Sequence, residues 1–208
     1  MTSLIPLPPR FFRRQAEVVA RELLGQLLVR VHGERRLIVR IVETEAYLGE
    51  GDRASHAWRG QRTPRTATLF RPGGVAYVYL VYGIHHLFNV VTGKASDGSA
   101  VLVRAGEPVE GIRFMQRNRG LETGARDGAI AGGPGKLSQA LAIDLGLNGA
   151  VLGSSEISVC RGARMPAASI AVGQRIGVAY SGPASLWPLR FAERLNPHVS
   201  RPYPWPAG

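Results

Sequence analysis

One cysteine, Cys160, stands in a chain of 208 residues. An intramolecular disulfide framework and a cysteine-built zinc cluster are therefore excluded, and a reducing, cytoplasmic-type compartment is the expectation. Lysine is nearly as scarce, with Lys94 and Lys136 alone. No apolar run approaches the ~20 residues that cross a bilayer. The first nine residues hold three prolines and lack the pattern of a cleaved leader. The chain is expected to be soluble, unprocessed and without a membrane partner. Acids are few as well: 15 Asp and Glu face 26 Lys and Arg, a formal net charge of +11.

The basic excess is almost wholly arginine, whose planar fork suits phosphates and base edges. Nucleic acid is the leading partner, although abundant Ala, Gly, Pro and Val show that GC-rich coding would raise arginine too. The length fits one domain, 1–208, with 1–9 and 198–208 as peripheral tails. Helical spacing of Ala16, Val19, Ala20, Leu23 and Leu24 predicts a helix over 11–24, closed by Gly25. Strands follow over 27–31 and 37–47, joined at Gly33. A long loop spans 48–72, and loops of that length inside a domain are usually functional or mobile. Further strands are read over 75–81, 86–92 and 101–105, the first two separated by a hairpin tip at Tyr82-Gly83-Ile84-His85. Helices over 110–119 and 136–145 flank a Gly-rich stretch, and short strand signals run through 170–180 before a proline-rich end. The fold class is mixed α+β.

Residues 37–47 carry the clearest chemical signal. In a regular strand Leu37, Val39, Ile41, Glu43, Glu45 and Tyr47 share one face, so a core face ends in two acids and an aromatic ring. Such a tip is a candidate reaction centre; the alternative is surface acids paired with Arg35, Arg36 or Arg40. Tyr77 and Tyr79 share a strand face, and Tyr82 beside Gly83 sits where the chain turns. A ring on a hairpin tip either inserts into a partner, including a base stack, or folds back on its own sheet. Residues 132–136, Gly-Gly-Pro-Gly-Lys, precede a helix and suit an anion, but Leu137 replaces the Ser or Thr of a nucleotide-binding loop. Nucleotide hydrolysis is therefore rejected. His56, His85 and His86 with Glu43 and Glu45 have no metal-ligand spacing, so a metal-dependent hydrolase ranks low.

Taken in order, Glu43-Thr44-Glu45-Ala46-Tyr47-Leu48-Gly49, Asp52 with His56, Thr63-Pro64-Arg65, Tyr77-Val78-Tyr79 with Tyr82-Gly83, Asn89, Val101 to Ala105 and Gly133-Pro134-Gly135-Lys136-Leu137 resemble the alkyladenine (3-methyladenine) DNA glycosylase family. The resemblance covers most of the chain, excluding 1–9 and the end after Pro197. It implies a monofunctional base-excision repair enzyme that flips alkylated or deaminated purines out of double-stranded DNA. It also implies a curved antiparallel sheet with flanking helices and a protruding β-hairpin, no metal and no organic cofactor. By matching position, Glu45 is the general base, and Arg104 with the backbone near Val178 holds the attacking water. Tyr47, His56 and Tyr79 form the base pocket, Ala54 gives a backbone contact and Asn89 discriminates among purines. Tyr82 is the intercalating wedge, and Thr63, Arg65 and Lys136 contact DNA. No lysine matches a Schiff-base position, so strand cleavage is not expected. The implied enzyme acts as a monomer, cytoplasmic and associated with the nucleoid when at work. A non-catalytic DNA-binding relative on the same scaffold is the competing reading.

Overall fold

The computed structural model describes residues 4–204; 1–3 and 205–208, the outer ends of the two expected tails, lie outside them. The expected first helix is two. Pro9–Phe12 (α1) and Ala16–Leu23 (α2) are separated where Gln15 turns extended, with ψ 138°. Arg14 makes the break favourable: its Nε donates to Phe11 O (2.9 Å), capping a carbonyl of α1, and its Nη2 donates to Glu22 on α2 (2.8 Å). The apolar stripe of α2, Ala16, Val19, Ala20 and Leu23, is buried as its spacing requires.

Eight strands follow: Leu27–His32 (β1), Arg35–Tyr47 (β2), Ala76–Val81 (β3), His85–Val91 (β4), Ala100–Glu110 (β5), Ile157–Cys160 (β6), Ile170–Gly173 (β7) and Arg190–Glu193 (β8). They form one open antiparallel sheet in the order β3-β4-β5-β2-β1-β6, with β8 joined to β2 and β7 to β8. Ile112–Asn118 (α3) and Pro134–Ala140 (α4) complete a single α+β domain. Helix α3 starts later than the periodicity implied because β5 runs on to Glu110, and α4 ends early, ahead of Ala142 at φ 50°. The long loop contains two 3-10 turns, Trp58–Gly60 and Ala67–Phe70. Strand β7 stops at Gly173, so Tyr180 lies instead on a 3-10 turn, Ala179–Leu186. No helix among the described residues is long and apolar enough to cross a membrane.

The central strand departs from regular alternation, and the departure places the site. Of the three register shifts in the β2–β5 pairing, one lies between Ile38 and Val39 and two bracket Glu43, between Ile41 and Glu43 and between Glu43 and Thr44. A bulge of this kind inserts one residue and exchanges the two faces beyond it. Leu37, Val39 and Ile41 face the main core under α2. Past the bulge Thr44 and Ala46 take over that face, with Thr44 Oγ1 donating to Ala20 O of α2 (2.8 Å). Glu43, Glu45 and Tyr47 therefore lie on the side opposite Leu37, Val39 and Ile41, not on the same one. The neighbour of β2 also changes there, from β1 along Arg35–Arg40 to β8 along Glu43–Glu45. Gly106 on β5 permits the close approach at the bulge, since a Cβ would sit 2.7 Å from Val39 Cβ.

Candidate active site

Beyond the bulge, Glu43 and Glu45 are both fully buried, and neither pairs with the arginines that flank them in sequence. Arg36 binds Glu110 (2.7 Å), and Arg40 binds Glu107 and Glu193. The strand-end surface pairing considered from sequence is thereby overturned. An ionised carboxylate so deeply buried requires full hydrogen bonding and countercharge. Glu43 has both in its own cluster: Arg104 Nε (2.9 Å), Arg190 Nε (2.7 Å), Ser200 N (2.8 Å) and Ser200 Oγ (2.9 Å) all donate to it. Three of these donors converge on Oε1, and Oε2 accepts from Ser200 N.

Glu45 is held more loosely. Its Oε1 accepts from Ile176 N (2.8 Å) and lies 3.2 Å from Arg104 Nη1, while Oε2 accepts only from the Tyr47 hydroxyl (2.8 Å). One lone pair of Oε2 thus remains for another donor. Arg104 bridges the two acids; burial opposes its charge, but Glu45 and Glu43 outweigh that and keep it cationic. Tyr47 stays protonated, its ionisation pushed far up by burial and then by Glu45.

The three partners of Glu45, namely Tyr47, Arg104 and Ile176, line a cavity of about 280 Å³ whose walls also include Ala54, His56, Tyr77, Tyr79, Tyr82, Asn89, Val178 and Tyr180. The size suits one small flat ligand. His56 and Tyr79 form an aromatic wall with ring centroids 4.5 Å apart, backed by Tyr77, whose hydroxyl shares a 2.9 Å hydrogen bond with His56 Nδ1. Burial first, then the charge of Arg65, lowers the His56 pKa to about 4, so the ring is neutral at physiological pH. Burial likewise pushes Tyr77 up to about 12. Tyr47 presents a further ring, with the Arg175 guanidinium 4.8 Å from its centroid. Asn89 donates from Nδ2 to Tyr77 O (3.1 Å) and Leu87 O (3.3 Å), which leaves its carbonyl oxygen as the polar end toward the cavity.

At the rim, Tyr82 is 92% exposed on the β3–β4 hairpin tip, in the left-handed region at φ 51°, followed by Gly83 at φ 70°. A bulky residue is strained in that conformation. It is not folded back on its sheet. Arg65 lies with its guanidinium 5.4 Å from the centroid of Tyr79 in the cavity wall. Lys136 is exposed on α4, whose neighbour Gly135 packs against His85 of the hairpin. Thr63 sits apart from the lining, in a turn where it exchanges hydrogen bonds with Thr66. Among the described residues no three His, Cys, Asp or Glu side chains converge as metal ligands.

A family model described as "Methylpurine-DNA glycosylase (MPG)" matches residues 10–197. The chain belongs to this methylpurine-DNA glycosylase family. Proteins named "Putative 3-methyladenine DNA glycosylase" align over nearly the whole chain. One from Myxococcus xanthus is 48% identical over 94% of this chain and 93% of its own length. One from Methanocella arvoryzae is 46% identical over 95% and 97%, and one from Natranaerobius thermophilus 43% over 91% and 96%. The chain is thus a DNA N-glycosylase, a hydrolase of DNA repair, and its substrate is DNA.

In this glycosylase site Arg175, Arg190 and Ser200 gave no sequence signal, and Asp52 entered only within the family resemblance, without a role. Arg175 and Asp52 form a fully buried ion pair, with Arg175 Nη2 at 2.9 Å from Asp52 Oδ1. Asp52 also accepts from Leu48 N (3.1 Å) and Ala54 N (3.0 Å), and Arg175 donates to Ala46 O (3.0 Å) and Ala184 O (3.1 Å). This pair clamps the loop after β2 onto the segment that carries Ile176 and Val178. Arg190 and Ser200 perform the corresponding task behind Glu43. Their partners lie more than a hundred residues away in sequence, beyond the range of any local pattern.

Proposed function

We propose that the protein excises alkylated purines, 3-methyladenine foremost, by rotating the damaged nucleotide out of duplex DNA into this cavity and hydrolysing its N-glycosidic bond. The observation that carries the reading is the unequal treatment of two buried acids on one strand. Glu43 is bound by Arg104, Arg190 and Ser200, of which only Arg104 reaches the cavity, whereas Tyr47, Arg104 and Ile176, the partners of Glu45, all line it and Glu45 Oε2 keeps a lone pair. Water attacking an oxocarbenium-like sugar needs a carboxylate that takes a proton and balances positive charge, and Glu45 supplies it. Arg104 and the backbone at Val178 orient that water.

The cavity suits a cationic base. Tyr47 and Tyr79 offer ring faces that attract a methylated purine through stacking and cation–π contact. His56, neutral at physiological pH, adds no repulsion. Extrusion costs a few kcal/mol, least for damaged bases, and Tyr82 at the exposed tip fills the vacated stack while Ala54 and Asn89 meet the base edge. Thr63, Arg65 and Lys136 add contacts to the DNA around the lesion. Acting alone as a monomer, the enzyme leaves an abasic site and no strand break. The test is incubation with methylated duplex DNA followed by chromatography of the supernatant. Free 3-methyladenine, released in excess chelator and without strand scission, is the expected result; tight binding with no released base would assign the chain to the non-catalytic reading.

A further inference from the structure

The reaction described above gives no task to Tyr180, yet this residue lines the cavity and is 64% exposed. Its hydroxyl donates to Ala54 O at 3.2 Å. Among the described residues that is the single donor to this carbonyl, whose own residue is 3% exposed in the cavity wall and has its N–H committed to Asp52 Oδ1 at 3.0 Å. The backbones at both ends of the contact are locked by one device. Asp52 holds the Ala54 amide, and its partner Arg175 reaches Ala184 O on the turn that carries Tyr180. The exposed Tyr180 ring, by contrast, can turn aside without unpacking any core side chain.

We propose that Tyr180 is a specificity-determining residue, a removable donor for the Ala54 carbonyl that lets the cavity accept purines both with and without an N–H on the edge facing it. This rests on the base-excision reading given above. A base that offers an N–H there takes the carbonyl and releases Tyr180 to water, an exchange of one hydrogen bond for another. A base whose edge is blocked leaves Tyr180 in place, so the carbonyl remains satisfied when the base excludes solvent. Without the hydroxyl, a blocked base would strip water from a buried acceptor and return nothing, the costly case for a polar group.

The Tyr180→Phe variant tests this, because it removes one oxygen from an exposed ring and keeps the wall's shape. Single-turnover excision is measured on duplexes carrying hypoxanthine, which has an N1–H donor, and 1,N6-ethenoadenine, which has none on that edge. The variant should hold hypoxanthine release within about twofold of wild type and lose ethenoadenine release on the order of tenfold. Affinity for an abasic-site duplex, which puts no base in the cavity, should be unchanged. Equal losses on both bases, no loss on either, or a matching loss of abasic-site affinity would overturn the role. A wild-type enzyme that releases alkylated purines but not ethenoadenine would overturn it as well, leaving the base-excision reading intact. Wild-type protein that releases no base at all would remove both.

Discussion

Replacing Glu43 by glutamine should damage the fold more than the chemistry, whereas the same change at Glu45 should do the reverse. Glu43 sits with Arg104 and Arg190 in a cluster whose side chains are 7% exposed or less. An amide in its place removes the countercharge of the buried Arg190, leaves Arg104 with Glu45 alone, and turns one acceptor oxygen into a donor that faces at least the Ser200 amide. Breaking a buried pair by removing one partner costs about 3–5 kcal/mol. Set against a typical total stability of roughly 5–15 kcal/mol, Glu43→Gln remains folded in the cold but unfolds at much lower denaturant. Glu45→Gln keeps its amide oxygen for Ile176 N and leaves Arg104 paired to Glu43, so its stability loss should be nearer 1–2 kcal/mol, about one charge-assisted hydrogen bond. Urea unfolding with unchanged slope measures both. Excision by folded Glu43→Gln should be reduced but detectable. A Glu43→Gln unfolding free energy within about 1 kcal/mol of wild type would refute the assignment of this acid to structure.

Two further outcomes follow from the geometry. Tyr82→Ser removes the ring that fills the vacated stack, so binding to an abasic-site duplex should weaken, and 2-aminopurine fluorescence beside a lesion should rise far less than with wild type; an unchanged signal would return Tyr82 to a bystander on the tip. His56 has a folded-state pKa of about 4 against 6.5 unfolded, so its protonation favours the unfolded chain: stability is fully present above pH 6.5 and is lost as pH falls through that window toward 4. The loss attributable to His56 is roughly 2–3 kcal/mol, and His56→Gln should flatten the stability profile between those pH values, read as the denaturation midpoint at each pH.

The longer strands and the β3–β4 hairpin were legible because alternation and the Tyr82-Gly83 turn are local signals. Among cavity residues on those strands, Tyr47 and Tyr79 stood out as rings on a strand face, whereas Asn89 and Arg104 were named only through the family resemblance. The face of Glu43 and Glu45 was not legible. A bulge is set by the partner strand, here by the room that Gly106 leaves beside Val39, and the sequence of β2 alone reads as unbroken alternation. The break between α1 and α2 was hidden for a similar reason, since Arg13-Arg14-Gln15 is compatible with a helix until Arg14 caps Phe11. Strands β6 and β8 are four residues each, too short for periodicity to distinguish from loop. The last third of the chain consequently yielded no reading of Arg175, Arg190 or Ser200, although these residues complete the polar surroundings of both acids. Ser200 lies in a stretch whose prolines gave every appearance of a tail, yet it closes on Glu43 through its amide and hydroxyl.

Whether Glu45 activates the water that cleaves the glycosidic bond is decided by single-turnover excision by Glu45→Gln on duplex DNA containing 3-methyladenine. The expected result is loss of base release together with near wild-type affinity for the same duplex, because the amide preserves shape and can neither accept the proton nor balance the sugar cation. Release of 3-methyladenine by Glu45→Gln at close to the wild-type rate would contradict that role.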